Sequence, residues 1–198
     1  MYPMISRANH ILFTVIRFLC ISVFILLVLP TFADSQDEAR EYKAWVSGGL
    51  PEDCVPEGAW YWDDKVLCAG AMSHMQYAAA GIDKRSFRIN GPLAINADSS
   101  VVQYVYIDPQ GVPDGIMIKL FLASGDAMSF YWEGYEEAFV ILDEYINAWY
   151  MDFMPEAGKW VRLVIDFNEL DMSKAGVTGI EYIVSNGRVW WGQTLVSV

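Results

Sequence analysis

The chain predicts an all-β fold: a two-sheet antiparallel β-sandwich of jelly-roll type, preceded by an N-terminal signal helix. Three observations predict it. From Ala44 onward, short runs rich in Val, Ile, Tyr, Phe and Trp alternate with clusters of Gly, Pro, Asp and Asn, which is the texture of strands joined by turns. Within the runs, apolar side chains recur at period two rather than at the helical 3.6. About nine or ten such strands fill the domain, enough for two packed sheets.

The elements follow in order. Residues 1–33 open with Arg7, His10 and Arg17, continue as an unbroken apolar run over 18–29, and end in Pro30 and Thr31-Phe32-Ala33. A charged start, an apolar stretch and small residues flanking Phe32 form a secretory signal peptide, with cleavage expected after Ala33. The rival reading is a retained membrane anchor, long enough if counted from Ile11; Arg17 inside it weighs against that. Cys20 lies within the apolar run and the residue directly after the cleavage site is Asp34 rather than a cysteine, which argues against a lipid anchor. The expected location is therefore secreted or periplasmic, with membrane contact only if the signal segment is kept. Residues 34–43 are polar and read as a linker. Residues 44–198 form the domain.

Inside the domain, Val101, Val105 and Ile107 alternate with Tyr104 and Tyr106, and Ile116, Ile118, Leu120 and Leu122 share a face. Val161, Leu163, Ile165 and Phe167 oppose Trp160, Arg162, Val164 and Asp166. Ile180, Tyr182 and Val184 repeat the pattern before residues 188–191. Asp108-Pro109-Gln110-Gly111 and Ser124-Gly125-Asp126 carry turn chemistry. Asn186-Gly187, between two alternating runs, is a strong hairpin signal. Residues 136–151 would tolerate a helix; the β context favours a hairpin of 139–142 with 146–152, Asp143-Glu144 at its tip.

The formal net charge is −12, and the leader removes two arginines and no acid. Nucleic acid and anionic membrane surfaces need a positive face, so both are disfavoured as partners. Cys54 and Cys68 are the two cysteines left in an oxidising compartment and read as a disulfide, contributing roughly 3 kcal/mol. With His74 they cannot close a four-ligand zinc site. No cofactor is expected; Asp98, Asp108, Asp114 and Asp126 sit in turns and would suit a structural calcium ion. No phosphate loop, dinucleotide fingerprint or nucleophile elbow is present. His74 reads as a structural residue bonding a loop carbonyl.

The aromatic residues point to ligand contact. Successive strand residues face opposite ways, so each of the pairs Trp60/Tyr61, Tyr131/Trp132 and Trp190/Trp191 sends one ring outward. The bland alternative is that these rings cover sandwich edges. Carboxylates near them could serve a glycosidase or lyase only if two strands placed a pair across a groove; a non-enzymatic role is expected, and turnover lost on Glu133→Gln would overturn that.

Several pieces in order extend the reading: residues 55–59 (VPEGA) with Trp60 and Trp62, residues 70–74 (GAMSH) with Gly81 and Phe87, residues 104–109 (YVYIDP), residues 131–134 (YWEG), residues 155–163 (PEAGKWVRL) and residues 186–191 (NGRVWW). On these the chain resembles bacterial secreted β-sandwich domains of the galactose-binding, carbohydrate-binding-module type, from about Trp45 to Val196. It departs at Gly192, where that pattern has an acid, and at Asp83 and Arg85, where it has histidines. The resemblance implies a non-catalytic extracellular module. Polysaccharide or another glycan is then the expected partner: Trp62, Trp132 and Trp190 would stack on the sugar, and Asp63, Glu133 and Arg188 would bond its hydroxyls. The alternative is a structural or adhesive protein that self-associates or docks a protein partner through exposed rings.

Overall fold

The computed structural model describes residues 40–134, 138–139, 148–170 and 174–197. The expected signal peptide and most of the expected linker lie outside these residues. Arg40 pairs with Asp166 at 3.0 Å, and strand begins at Tyr42.

Ten strands are described: β1 (Tyr42–Val46), β2 (Cys54–Glu57), β3 (Tyr61–Cys68), β4 (Ala71–Asn96), β5 (Ser100–Ile107), β6 (Gly115–Leu122), β7 (Ala127–Glu133), β8 (Ala148–Phe153), β9 (Trp160–Asp166) and β10 (Lys174–Ser197). A short 3-10 turn, Phe167–Leu170, follows β9. Two strands are far longer than the rest, β4 with 26 residues and β10 with 24. They pair with each other along most of their length. The first half of β10 also pairs with β6, which leads to β7 and β8, while β2 lies on the outer side of β4. The second half of β10 pairs with β5, which carries β9; β3 flanks β4 there, and β1 closes on the end of β10.

The two halves lie face to face. Tyr182 and Thr194, twelve positions apart on β10, share a hydrogen bond of 2.6 Å. In a straight strand they would stand about 40 Å apart. Tyr182 and Trp191 touch as well, with ring centroids 5.1 Å apart. The chain is thus a β-sandwich whose two layers share β4 and β10.

The corner of β10 is Asn186-Gly187, both with positive φ, 50° and 82°. These are the dihedrals that a hairpin turn of this dipeptide would need, but the chain does not reverse there. Ser185 and Gly187 stay in register with β4 across a bulge that sets three residues, Ala79 to Gly81, against Asn186. The Asn186 carboxamide accepts from the Gly81 N–H at 2.8 Å and donates to Asp114. A hairpin gives way to a corner because both flanking runs already have partners. By contrast the Ser124-Gly125-Asp126 turn does join a hairpin, β6 to β7: Leu122 N–H donates to Asp126 O at 2.9 Å. Gly111 N–H donates to Asp108 O at 3.1 Å, closing the other expected turn.

Of the expected hairpin over 139–152, the tip and all of the first strand but Phe139 lie outside the described residues. Phe139 lies in a turn rather than a strand, and Ala148–Phe153 pairs with β7 in parallel, the one parallel pair among the described strands. Residues 140–147 lie outside the described residues.

Between the layers sit Phe87, Ile107, Phe130, Leu163, Ile165, Phe167, Tyr182 and Trp191, none more than 5% exposed. A second small cluster, Met117, Tyr131, Phe139 and Ile183, seals the outer side of β6, β7 and the first half of β10. Among the described residues the outer side of the other layer has no such cover, and that difference places the site.

Candidate ligand-binding face

In the open layer one row of side chains crosses five strands. Tyr61 on β3 is directly opposite Met75 on β4, Met75 opposite Trp190 on β10, Trp190 opposite Tyr106 on β5, and Tyr106 opposite Trp160 on β9. Opposed residues share a face of the sheet, so these five form a stripe. With strands 4.7–4.9 Å apart, it runs for about 19 Å. The adjacent row, Trp62, His74, Trp191, Val105 and Val161, points the other way, into the core. Burial follows this parity: Tyr61 is exposed and Met75, Trp190, Tyr106 and Trp160 are half-buried, while His74, Trp191 and Val105 are sealed.

The stripe is held in place. Tyr106 stands edge-on to both neighbours, with centroids 5.7 Å from Trp190 and 5.8 Å from Trp160. The Trp190 indole N–H donates to Asp63 Oδ2 at 2.8 Å, and that of Trp160 to Leu67 O at 2.9 Å. Rings fixed before a ligand arrives lose little rotamer freedom on binding. Asp63 accepts in addition from the backbone N–H of Lys65 at 2.8 Å. The Lys65 bond first, then the Trp190 bond, holds its carboxyl below the usual carboxylate range. One row along, Arg188 is opposite Tyr77 and lies 5.0 Å from its ring, and its guanidinium meets Asp108 at 3.1 Å. The face thus offers apolar ring surface bordered by one carboxylate and one guanidinium pair.

Of the six residues expected to bind, Asp63, Trp190 and Arg188 come together here. Trp62 does not: it lies in the inward row, stacked on Trp60 at 6.3 Å, and Tyr61 takes the outward place. Trp132 and Glu133 are on β7 in the other layer, 5% and 9% exposed. The rule of one ring out fails for Tyr131/Trp132 because the cluster around Phe139 covers the outer side. Tyr106, Trp160 and Met75 were not singled out. Their outward phase is legible in the alternation; that five outward phases align in one row depends on register, which is not.

Two further expectations change. His74 bonds no loop carbonyl: neither ring nitrogen has a hydrogen-bond partner among the described residues, nor does the Trp60 indole N–H beside it. The His74 ring is instead packed among Trp60, Trp62, Tyr182 and Trp191. The Cys54–Cys68 disulfide is not formed; both thiols are free. Cys54 is paired with Ile89 and Cys68 with Ala71, on opposite sides of the Gly81 bulge in β4, so the two are held in different layers. Bridging needs Cα atoms within about 7 Å. Finally, among the described residues no group of three or more His, Cys, Asp or Glu is placed to hold a metal ion. Asp108 meets Arg188, Asp114 meets Asn186 and Asp126 accepts from Ser124, while at Asp98 it is the backbone N–H that donates, to Asn96 Oδ1 at 2.8 Å.

No protein-family profile matches the chain, and no curated protein is similar to it. Solved structures are. The chain is similar to the CBM22-1 xylan-binding domain of Paenibacillus barcinonensis Xyn10C, with TM-score 0.41 and 11% identity over 80% of this chain and 96% of that one. It is similar to a structure of carbohydrate-binding modules of the β-sandwich superfamily, with TM-score 0.41 and 8% identity over 77% and 55% of the chains. It is also similar to the glycoside hydrolase domain structure of Endo-D from Streptococcus pneumoniae, with TM-score 0.43 and 13% identity; there it covers 73% of this chain but spans only 21% of that one.

Proposed function

We propose that the domain is a non-catalytic glycan-binding module, and that the ligand lies across the strands on the Tyr61–Met75–Trp190–Tyr106–Trp160 stripe. The observation that carries this is the row itself: pinned rings crossing an uncovered sheet face, with Asp63 and Arg188 at their border. A sugar ring presents C–H groups on its faces and hydroxyls on its rim. The first suit aromatic surface, and the second suit a fixed carboxylate and a guanidinium. The state of the acids supports binding rather than acid-catalysed conversion. Asp63 is held as an anion by its donors and is a poor proton source, and Glu133 belongs to the other layer.

Titration with a panel of soluble polysaccharides, read by tryptophan fluorescence, tests the proposal. Trp190→Ala should weaken binding at least tenfold, about 1.4 kcal/mol, with an unchanged circular-dichroism spectrum; Glu133→Gln should leave it unchanged. No response to any glycan from folded protein would remove the proposal.

One observation favours a second reading, self-association or docking of a protein partner. Among the described strands β8 ends its sheet, and it exposes Trp149, Tyr150 and Phe153, the last at 77%. An edge strand carrying apolar rings is a template for pairing. Light scattering across a concentration series should then show assembly that Phe153→Lys abolishes. A monomer at all concentrations would remove this reading and leave the first intact.

A further inference from the structure

A second concave feature lies elsewhere in the fold. In β4 the register with β10 slips between Arg88 and Leu93, so that residues 89–92 bulge outward, with Pro92 at a position that needs no donor. In β1 the register with β10 slips between Ala44 and Val46, and the extra residue is Trp45. Bulges re-aim side chains, and this one turns the Trp45 ring edge-on to Phe87 at 5.3 Å. Between the β4 bulge and the loop joining β1 to β2 is a cleft of about 690 Å³, lined by Trp45, Glu52, Asp53, Asn90, Pro92 and Leu93 among others. That volume is in the range of small-molecule sites.

Its charge is one-sided. Glu52 and Asp53 have no ion pair or hydrogen bond among the described residues, and no lysine or arginine lines the cleft. The nearest basic residue in sequence, Arg88, is turned away, its guanidinium 3.2 Å from the Phe121 ring. Two carboxylates, an indole and an amide around a concave site suit a ligand with a cationic group on a partly apolar body. The carboxylates attract the cation, the indole stacks or makes a cation–π contact, and Asn90 offers both a donor and an acceptor. A neutral sugar would use only part of this set.

We infer that the cleft is a separate binding site for a saccharide unit bearing a free amine. It uses none of the residues of the aromatic stripe and stands whether or not the stripe binds glycan.

The test is calorimetric titration of the folded protein with three oligosaccharides of equal length: glucosamine, its fully N-acetylated counterpart, and glucose. The glucosamine oligomer should bind about tenfold more tightly than the other two at low salt, and the gap should narrow as salt screens it. Glu52→Gln/Asp53→Asn, both in an exposed loop, should bring the glucosamine oligomer down to the level of the neutral ones, and Trp45 should report the binding by its indole N–H resonance. Trp190→Ala should leave the preference unchanged. Equal affinities, no binding of the glucosamine oligomer, or a preference that survives the double substitution or disappears with Trp190→Ala would each overturn the inference.

Discussion

His74 sits directly behind the exposed stripe, opposite Trp62 and Trp191. Complete burial, then the positive charge of Arg85, pushes its pKa well below the ordinary value. The unfolded chain, with an imidazole near 6.5, takes up the proton more readily. Stability is therefore full above about pH 6.5 and is lost as pH falls below it, by up to about 1.4 kcal/mol per pH unit until the folded value is reached. His74→Phe keeps the ring and removes the titration, so its melting temperature should be flat between about pH 6.5 and 5 where that of the parent falls; parallel curves would contradict the assignment. The neighbouring Gln76 shows how a buried polar residue is satisfied instead. It accepts from Trp191 Nε1 at 2.8 Å and donates to the carbonyls of Asp83 and Tyr182 at 2.9 and 3.1 Å. Sequence alternation could say that Trp190 and Trp191 differ in exposure. It could not choose Tyr61 over Trp62, because phase on a strand is relative until one partner is placed.

At the scale of elements, β10 carries the fold through its corner. A Cβ at Gly187 would lie 2.5 Å from Gly111 O and 2.6 Å from Pro113 N, backbone atoms that cannot step aside, at a φ that L-residues avoid. Gly187→Ala should cost about 3 kcal/mol, read as a lowered denaturant midpoint; a change below about 0.5 kcal/mol would mean that the corner is not strained. Strands β5, β6 and β9 were legible because branched apolar residues recur with period two along one face. Strand β4 was not, since its sequence buries Ser73, His74, Gln76, Arg85 and Ser86 alongside Phe87 and Ile95. Buried polar residues erase the alternation on which strand reading depends. The Asn186-Gly187 signal was real at the level of dihedrals and misleading at the level of topology: positive φ bends a chain, and only the available partners decide whether the bend becomes a reversal.

At the scale of the whole molecule, the all-β class and the two-layer sandwich were legible from texture alone, and the crossing of β4 and β10 between layers was not, because it is fixed by pairing between residues 78 to 117 positions apart. The same holds for the candidate face. Its rings come from four strands, with Met75 of a fifth between them, and it exists because the Phe139 cluster covers one layer while nothing comparable among the described residues covers the other. The acidic balance of the chain, −12, disfavours polyanions as partners, in keeping with neutral and amine-bearing ligands at the two proposed sites.

The continuity of β10 has a consequence for how the protein comes apart. A sandwich built from separate sheets can lose one while the other survives. Here the same backbone threads both, so melting either layer frees the strand that the other is hydrogen-bonded to. Loss of order should propagate from one end of β10 to the other as a single event, and slow amide exchange should extend along its whole length rather than stop at the corner.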